Sequence, residues 1–353
     1  MRVVVLLGGD SEEREVSLSS GCQVADALRD VGHEVVALDP VGGALTRGDE
    51  KKILTEGVGS LPPAEIGLGE ADRSSGVPAR SGAPTRVTIS HHEEIFSADV
   101  VFPALHGGTG EDGTLQALLD LGGCTYAGSA MLGCALAMDK DVTKRLLRDA
   151  GIRTADWLMN PIAEEAVERL GLPMIAKPVA GGSSVRLYLL DTLEAVRETI
   201  DVEGERSRER GVSPDMMYEA FVAGRELTVG ILGENALPVG EIVSEHDLFD
   251  YECKYQAGMA HEIFPAEIPD KLARTLQETA LEVHRLLRLR DFSRIDFIVD
   301  TQGDAWCLEA NALPGMTSNS LLPKAARAAG MTFHELCDRI VHLAATRSPG
   351  ASL

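Results

Sequence analysis

At 353 residues, 44% hydrophobic and 25% charged, the chain has an ordinary globular composition and the length for two or three packed domains. Its formal net charge of −22 excludes a nucleic-acid polymer as the expected partner, because binding a phosphate backbone needs clustered Lys and Arg. The charge leaves room for small phosphate ligands, which a cation can bridge to carboxylates. No apolar run reaches the roughly 18–20 residues of a membrane span, so no membrane insertion is expected.

Val3–Leu7 is a continuous apolar run halted by Gly8, Gly9 and Asp10. It reads as a buried strand entering a turn and not as a signal peptide, which predicts a cytoplasmic protein. A helix over Ser17–Asp30, stopped by Gly32, and a strand at Glu34–Leu38 complete a strand–helix–strand unit of a parallel sheet. Residues 42–86 change to Gly, Pro, Ser and charge, with periodicity only in patches, and read as a surface insertion. A strand at Asp99–Leu105 leads through a glycine-rich turn into a helix over Gly113–Leu121.

A second unit begins near Lys140 with a helix over Asp141–Ala150. Leu172–Pro178 and Arg186–Leu190 are strands joined by a glycine loop, with no helix between. Leu193–Ile200 is helical, and Met216–Phe221 and Glu226–Leu232 are strands. A long amphipathic helix from Asp270 to about Leu287 precedes a hairpin of Arg294–Val299 and Trp306–Ala310. The expected class is α/β and α+β: an N-terminal parallel-sheet domain over 1–125, a small α+β unit over 126–215 and a larger one over 216–353. Six cysteines, Cys22, Cys124, Cys134, Cys253, Cys307 and Cys337, show no CxxC pair or Cys/His ligand spacing. They predict reduced thiols and no zinc.

The hairpin carries the strongest chemical signal. Strand side chains alternate faces, so Arg294 and Asp296 share one face while Ile295, Phe297 and Val299 share the other. On the second strand Glu309 and Asn311 fall together, with Leu308 and Ala310 opposite. A turn centred near Gln302 brings Asp296 beside Glu309. Two carboxylates, an amide oxygen and an arginine then converge. Oxygen-only ligands suit magnesium carrying nucleotide phosphates; a solvated sheet face with cross-strand ion pairs is the bland alternative. The loop Pro314–Ser320 follows at once and offers N–H groups and hydroxyls to an anionic intermediate.

Three further segments add candidates. Lys177 ends a buried strand ahead of Gly181, Gly182, Ser183 and Ser184, a lysine and glycine arrangement that can meet phosphate oxygens but is not a GxxxxGK[ST] loop. Glu219, Phe221 and Val222 could hold a ribose or an adenine edge, or belong to an edge strand with a solvent carboxylate. The turn His106–Gly113 contains GxGxxG at Gly108, Gly110 and Gly113. Glu111 and Asp112 would place negative charge where a pyrophosphate must sit, which counts against a dinucleotide. His106 is either a satisfied loop histidine or a substrate contact.

These segments together resemble the ATP-grasp superfamily, and within it the D-alanine–D-alanine ligase family. The likeness runs in order through Leu6–Leu18, Ala104–Thr114, Met138–Lys140, Lys177 with Ser183 and Ser184, Glu219–Val229, Phe249–Tyr255, Arg294–Asp296 and Leu308–Leu321. It covers nearly the whole chain apart from the insertion after Val41. The resemblance implies ATP-dependent joining of two D-alanines through an acylphosphate, for peptidoglycan precursors, by a cytoplasmic homodimer. It implies that Lys140, Lys177, Ser184 and Lys254 meet phosphates and that Glu219, Phe221, Val222 and Glu226 hold adenosine. Asp296, Glu309 and Asn311 would bind two magnesium or manganese ions. Arg294 and the Gly315 N–H would stabilise the tetrahedral oxygen; Glu13, linked to Ser183 and Tyr255 and near His106, would anchor the first substrate. Ser320 and Leu321 would take the second substrate's carboxylate.

The sequence also departs from the family pattern. Ala180 and Gly181 stand where a charged pair is usual, Arg186 stands where a glycine is usual, and Ala220 replaces a frequent lysine. The loop after Tyr255 lacks the usual acidic and hydroxyl residues. Two alternatives stay open: a relative joining other amino acids or D-hydroxy acids, and a nucleotide-binding regulatory protein without catalysis.

Overall fold

The structure, a computed structural model, describes residues 1–56, 92–181, 186–211, 215–244 and 260–347. The N-terminal layer is built on β1 (Arg2–Leu6), flanked in parallel by β2 (Glu34–Asp39) and β4 (Val100–Pro103). The two-residue β3 (Gly43–Ala44) runs antiparallel along β2, so the sheet is mixed in the order β3-β2-β1-β4. Val3 to Leu7 are fully buried because helices cover both faces. Val3, Val5 and Phe102 pack with Leu18, Cys22 and Ala25 of α1 (Arg14–Asp30). Val4, Leu6 and Val101 pack on the other side, with Ile95 of the short α3 (Glu93–Phe96) and Leu115 and Leu119 of α4 (Thr114–Leu121).

The expected insertion is ordered where it begins. α2 (Arg47–Glu56) lies on α1 and buries Ile53, and its Glu50 accepts from Arg29 and Arg47 at 2.6 and 2.7 Å. Its remainder lies outside the described residues.

The central layer is a four-stranded antiparallel sheet, β5 (Trp157–Met159), β8 (Met216–Ala220), β6 (Met174–Pro178) and β7 (Tyr188–Leu190), in that spatial order. α7 (Glu164–Leu170) and α8 (Leu193–Arg210) close its core through Val167 and Val196. α8 runs ten residues past the expected end at Ile200, to Arg210, and Gly211 with a φ of 66° ends it. Glu203, fully buried, anchors that extension by accepting from Tyr188 Oη at 2.8 Å and pairing with Arg186.

The third layer is the antiparallel sheet of β9 (Gly224–Leu232), β10 (Asn235–Ala236), β11 (Gly240–Ser244), β12 (Ala260–Ile263), β13 (Phe292–Asp300) and β14 (Ala305–Asn311). Its apolar face, Leu227, Val229, Ile231, Ile295, Phe297 and Val299, is covered by α9 (Asp270–Leu286), α5 (Met131–Met138) and α6 (Lys140–Asp149). α10 (Leu321–Ala328) packs Leu322 over Gly230 on the opposite face, where an added Cβ would lie 2.7 Å from the leucine. α11 (Phe333–Ala345) then returns to the N-terminal layer, sharing one core with α1 through Leu336, Ile340 and Val341.

Candidate active site

Strand alternation sends Arg294 and Asp296 out of the core, and the register sets Asp296 opposite both Glu309 of β14 and Thr228 of β9. The expected meeting of the two carboxylates across the hairpin is therefore what the structure shows. The turn is closed by the Asp300 carboxylate, which accepts from the N–H groups of Gln302 and Asp304 and from Trp306 Nε1 at 2.9–3.0 Å. One detail differs from the expected pattern. A bulge lets Phe297 pair with Cys307, so Cys307, 1% exposed, occupies the core beside Ala310 in place of Leu308. The extra residue restores Glu309 to the face of Asp296.

Asp296 is saturated with donors. It accepts from Arg294 Nε at 2.9 Å and a terminal Arg294 nitrogen at 2.8 Å, from Thr228 Oγ1 at 2.6 Å and from Asn311 Nδ2 at 3.0 Å. Burial alone would loosen the Arg294 proton, but Asp296, then Glu309 and Glu226, hold the guanidinium firmly charged. Lys140 Nζ lies 3.7 Å from Glu309 and donates to the Gly181 carbonyl at 2.7 Å. Asp296, Glu309 and the Asn311 side-chain oxygen would form an all-oxygen donor set for a cation that displaced some of these donors, with Arg294 and Lys140 balancing its charge. Such a set fits a hard divalent cation better than a thiol- or imidazole-seeking one.

The central sheet brings its own charged core against this hairpin. Lys177 Nζ lies 2.6 Å from one oxygen of Glu219, and Lys144 Nζ lies 2.5 Å from the other. Lys144 also donates to Thr154 Oγ1 at 2.6 Å, and Thr154 donates to the Cys307 carbonyl at 2.9 Å. Glu219 is 3% exposed on a strand between two others, which removes the reading of a solvent carboxylate on an edge. Burial opposes its charge, but Lys177 and Lys144 together hold the carboxyl below the usual range. Burial likewise opposes the Lys177 charge, and Glu219 and Glu309 outweigh it. Lys144, more deeply enclosed, is pushed down by burial in spite of Glu219. Sequence reasoning missed Lys144 and Thr154. The available signal was helical spacing, since Lys144 lies one turn beyond Lys140 on α6 and shares its face. Phe221 and Val222 follow the end of β8, and Glu226 stands near the start of β9; all three are half-buried.

Arg186 occupies a φ of 63°, the conformation that suits the glycine more usual there. Its ion pair with buried Glu203 anchors it in that conformation.

Glu13 sits at the N-cap of α1, against Gly107: a Cβ on that glycine, at φ 69°, would lie 2.6 Å from the Glu13 carboxylate. His106 is buried beside them, with Nε2 3.2 Å from Ser20 Oγ. Burial would lower its basicity, but Glu111, then Glu13 and the Leu313 carbonyl, raise it above the ordinary histidine value. The GxGxxG turn fills its own amides, since Glu111 accepts from the Gly107 N–H at 2.8 Å and Asp112 from the Thr114 N–H at 2.8 Å. A dinucleotide pyrophosphate would compete with both carboxylates.

Gly315 faces Ser320, whose Oγ would lie 3.0 Å from an added Cβ. Ser320 is the N-cap of α10 and Leu321 its first residue, where helix N–H groups have no intrahelical acceptor. Ser318 N–H donates to Gln23 of α1 at 2.8 Å, tying this loop to the N-terminal layer. Ser183, Ser184, Lys254 and Tyr255 lie outside the described residues.

Family models match on both sides of this site, D-ala D-ala ligase N-terminus over residues 2–129 and D-ala D-ala ligase C-terminus over 147–342. The chain belongs to the D-alanine–D-alanine ligase family. A D-alanine–D-alanine ligase of Aquifex aeolicus is 40% identical over 345 residues, covering 97% of this chain and all of that one. The D-alanine–D-alanine ligase from Bacillus anthracis complexed with ATP superposes with a TM-score of 0.74 at 26% identity, over 98% of this chain and 97% of that one. The VanG D-Ala:D-Ser ligase from Enterococcus faecalis gives 0.75 at 26% identity, over 97% and 98%. The ATP-grasp fold of this ligase family is therefore the fold of this chain. Among the described residues no helix is long and apolar enough to cross a membrane.

Proposed function

We propose that this D-alanine–D-alanine ligase family member joins two D-alanines into D-alanyl-D-alanine, with ATP converted to ADP and phosphate. The observation that carries the reading is Asp296 facing Glu309, with Arg294 on the first carboxylate and Lys140 near the second. Two magnesium or manganese ions held by Asp296, Glu309 and Asn311 would neutralise the phosphates and the charge that develops on transfer. Lys140 and Lys177, with Ser184 and Lys254, would meet the phosphate oxygens. Glu219, Phe221, Val222 and Glu226 would border adenosine, with Lys144 fixing Glu219.

In the first step a carboxylate oxygen of one D-alanine takes the γ-phosphoryl group, forming an acylphosphate and releasing ADP. The deprotonated amine of the second D-alanine then attacks the acyl carbon, and phosphate leaves as the tetrahedral centre collapses. Arg294 and the Gly315 N–H would hold the oxygen that becomes negative. Glu13, oriented by Ser183 and Tyr255 and backed by His106, would accept from the first ammonium. Ser320 and the Leu321 N–H would receive the second carboxylate. Most of the acceleration then comes from positioning and charge stabilisation. The product serves peptidoglycan precursor synthesis in the cytoplasm, and the active form is a homodimer.

The equal likeness to a D-Ala:D-Ser ligase keeps a second acceptor in view. Phosphate release with magnesium and ATP, screened over D-alanine, D-serine and D-lactate, separates the readings. D-alanine alone should support turnover, with the dipeptide identified by mass. Turnover confined to another acceptor supports the second reading, and ATP binding without turnover with any acceptor supports a regulatory protein.

A further inference from the structure

Away from the ligase site, α11 lies against α1, and a second polar cluster forms at the edge of that contact. His33, the residue before β2, meets Asp338 and His342, which are one turn apart on α11. His33 Nε2 lies 2.8 Å from Asp338 Oδ1, and His342 Nδ1 lies 3.2 Å from the same oxygen. One ligand atom from each residue falls within 4.8 Å of the other two, and the position between them is empty.

The nitrogens that face Asp338 are hydrogen-bonded in the metal-free protein, His33 Nε2 to the carboxylate and His342 Nδ1 also to the Asp338 carbonyl at 2.9 Å, so an ion would replace those bonds. The His33 side chain is only 6% exposed, yet its Nδ1 is buried with no hydrogen-bond partner. An imidazole shut away from water ordinarily has both nitrogens engaged. Asp338 and His342 also line an open groove with Met331, Glu335 and Arg339, which gives the cluster a path to solvent.

We propose that His33, Asp338 and His342 form a site for a transition-metal dication of the zinc class. Two imidazoles and one carboxylate suit zinc, nickel or copper, whereas magnesium prefers oxygens and gives up its water reluctantly. Tetrahedral zinc with bonds of about 2.0–2.1 Å sets its ligand atoms roughly 3.3–3.4 Å apart. The separations of 2.8 and 3.2 Å to Asp338 need to open by up to about half an ångström, and the two imidazole nitrogens, within 4.8 Å of each other, need to settle at the same spacing by side-chain rotation. Binding would displace the protons that now lie between the rings and Asp338, and would leave the groove side open to water. The sequence concealed the site because its ligands come from opposite ends of the chain, 305 positions apart for His33 and Asp338. A bound ion would fasten the C-terminal helix to the N-terminal layer without touching the ligase residues.

The test uses the full, tag-free chain stripped with chelator, then titrated with zinc chloride in excess magnesium against a chromophoric zinc indicator, with melting temperature followed in parallel. Excess magnesium competes with zinc for the oxygen ligands of the hairpin, and the Glu309→Ala variant removes one of them. The wild type and Glu309→Ala should each bind one zinc and melt higher when loaded. His342→Ala, which alters a half-exposed side chain, and Asp338→Asn should lose affinity by at least roughly tenfold and lose the thermal gain. Unchanged zinc affinity in both variants, no zinc bound by the wild type, or loss of the zinc in Glu309→Ala instead would each overturn the proposal.

Discussion

Glu219 shows how far a single residue can be read before its neighbours are known. The chain places it two residues before Phe221, which suggests a nucleotide contact or a solvent position with equal force. The fold decides by enclosing it between Lys144 and Lys177, 3% exposed. Helical spacing sets Lys144 on the face of Lys140 but does not announce its burial, because the justification is a carboxylate 75 positions away. A paired buried charge is strongly destabilised when one partner is removed, so this trio fixes the geometry of the central sheet. Gly107 makes a sharper test of the substrate end. At φ 69° with the Glu13 carboxylate 2.6 Å from any Cβ, Gly107→Ala should displace Glu13. Steady-state kinetics should show the KM for D-alanine rising by roughly tenfold or more while the KM for ATP stays near wild type. An unchanged D-alanine KM would mean that Glu13 does not anchor that substrate.

At the scale of elements, the hairpin was legible because two periodic strands and a polar turn fix which side chains share a face. Asp296 opposite Glu309 follows from that alternation, and the structure has the same pairing. The bulge that exchanges Leu308 for Cys307 was not legible, since a one-residue slip leaves the composition of the strand unchanged. Helix ends were similarly hidden: α8 continues through Asp201–Arg210 because Arg186, Tyr188 and Arg206 meet Glu203 from outside and within the helix. Another element contact gives a pH prediction. His284 of α9 is buried with Nδ1 2.7 Å from Ser293 Oγ on β13, and burial pushes its pKa down to about 4. The unfolded chain binds this proton near 6.5, so between those values the unfolded state holds more protons and stability rises with pH. The contribution is complete above about pH 6.5 and is lost as pH falls toward 4. Denaturant titration should show about 2 kcal/mol less stability at pH 5 than at pH 8 from this residue, as the difference between wild type and His284→Gln. An identical pH dependence in the two proteins would remove His284 from the account.

Across the whole molecule, the site is assembled from three sheets that share no strand. Glu13 and His106 come from the N-terminal layer, Lys177 and Glu219 from the central one, and Arg294, Asp296 and Glu309 from the third. The strand–helix–strand opening and the hairpin of the third sheet were legible from periodicity. How the layers meet was not, because links such as the Ser318 bond to Gln23 and the Thr154 bond to Cys307 join residues 295 and 153 positions apart. The return of α11 onto α1 was equally invisible, although it completes the first hydrophobic core. In the proposed function the hairpin carboxylates are the meeting place of cation, phosphate and reacting carboxylate. The most direct measurement compares D-alanyl-D-alanine formation from D-alanine, ATP and magnesium by the wild type and by Glu309→Gln, with circular dichroism verifying that both are folded. The wild type should form one dipeptide per phosphate released, and the folded variant should be slower by at least roughly a hundredfold. A folded Glu309→Gln protein working at the wild-type rate, or a wild type that makes no dipeptide, would contradict the account.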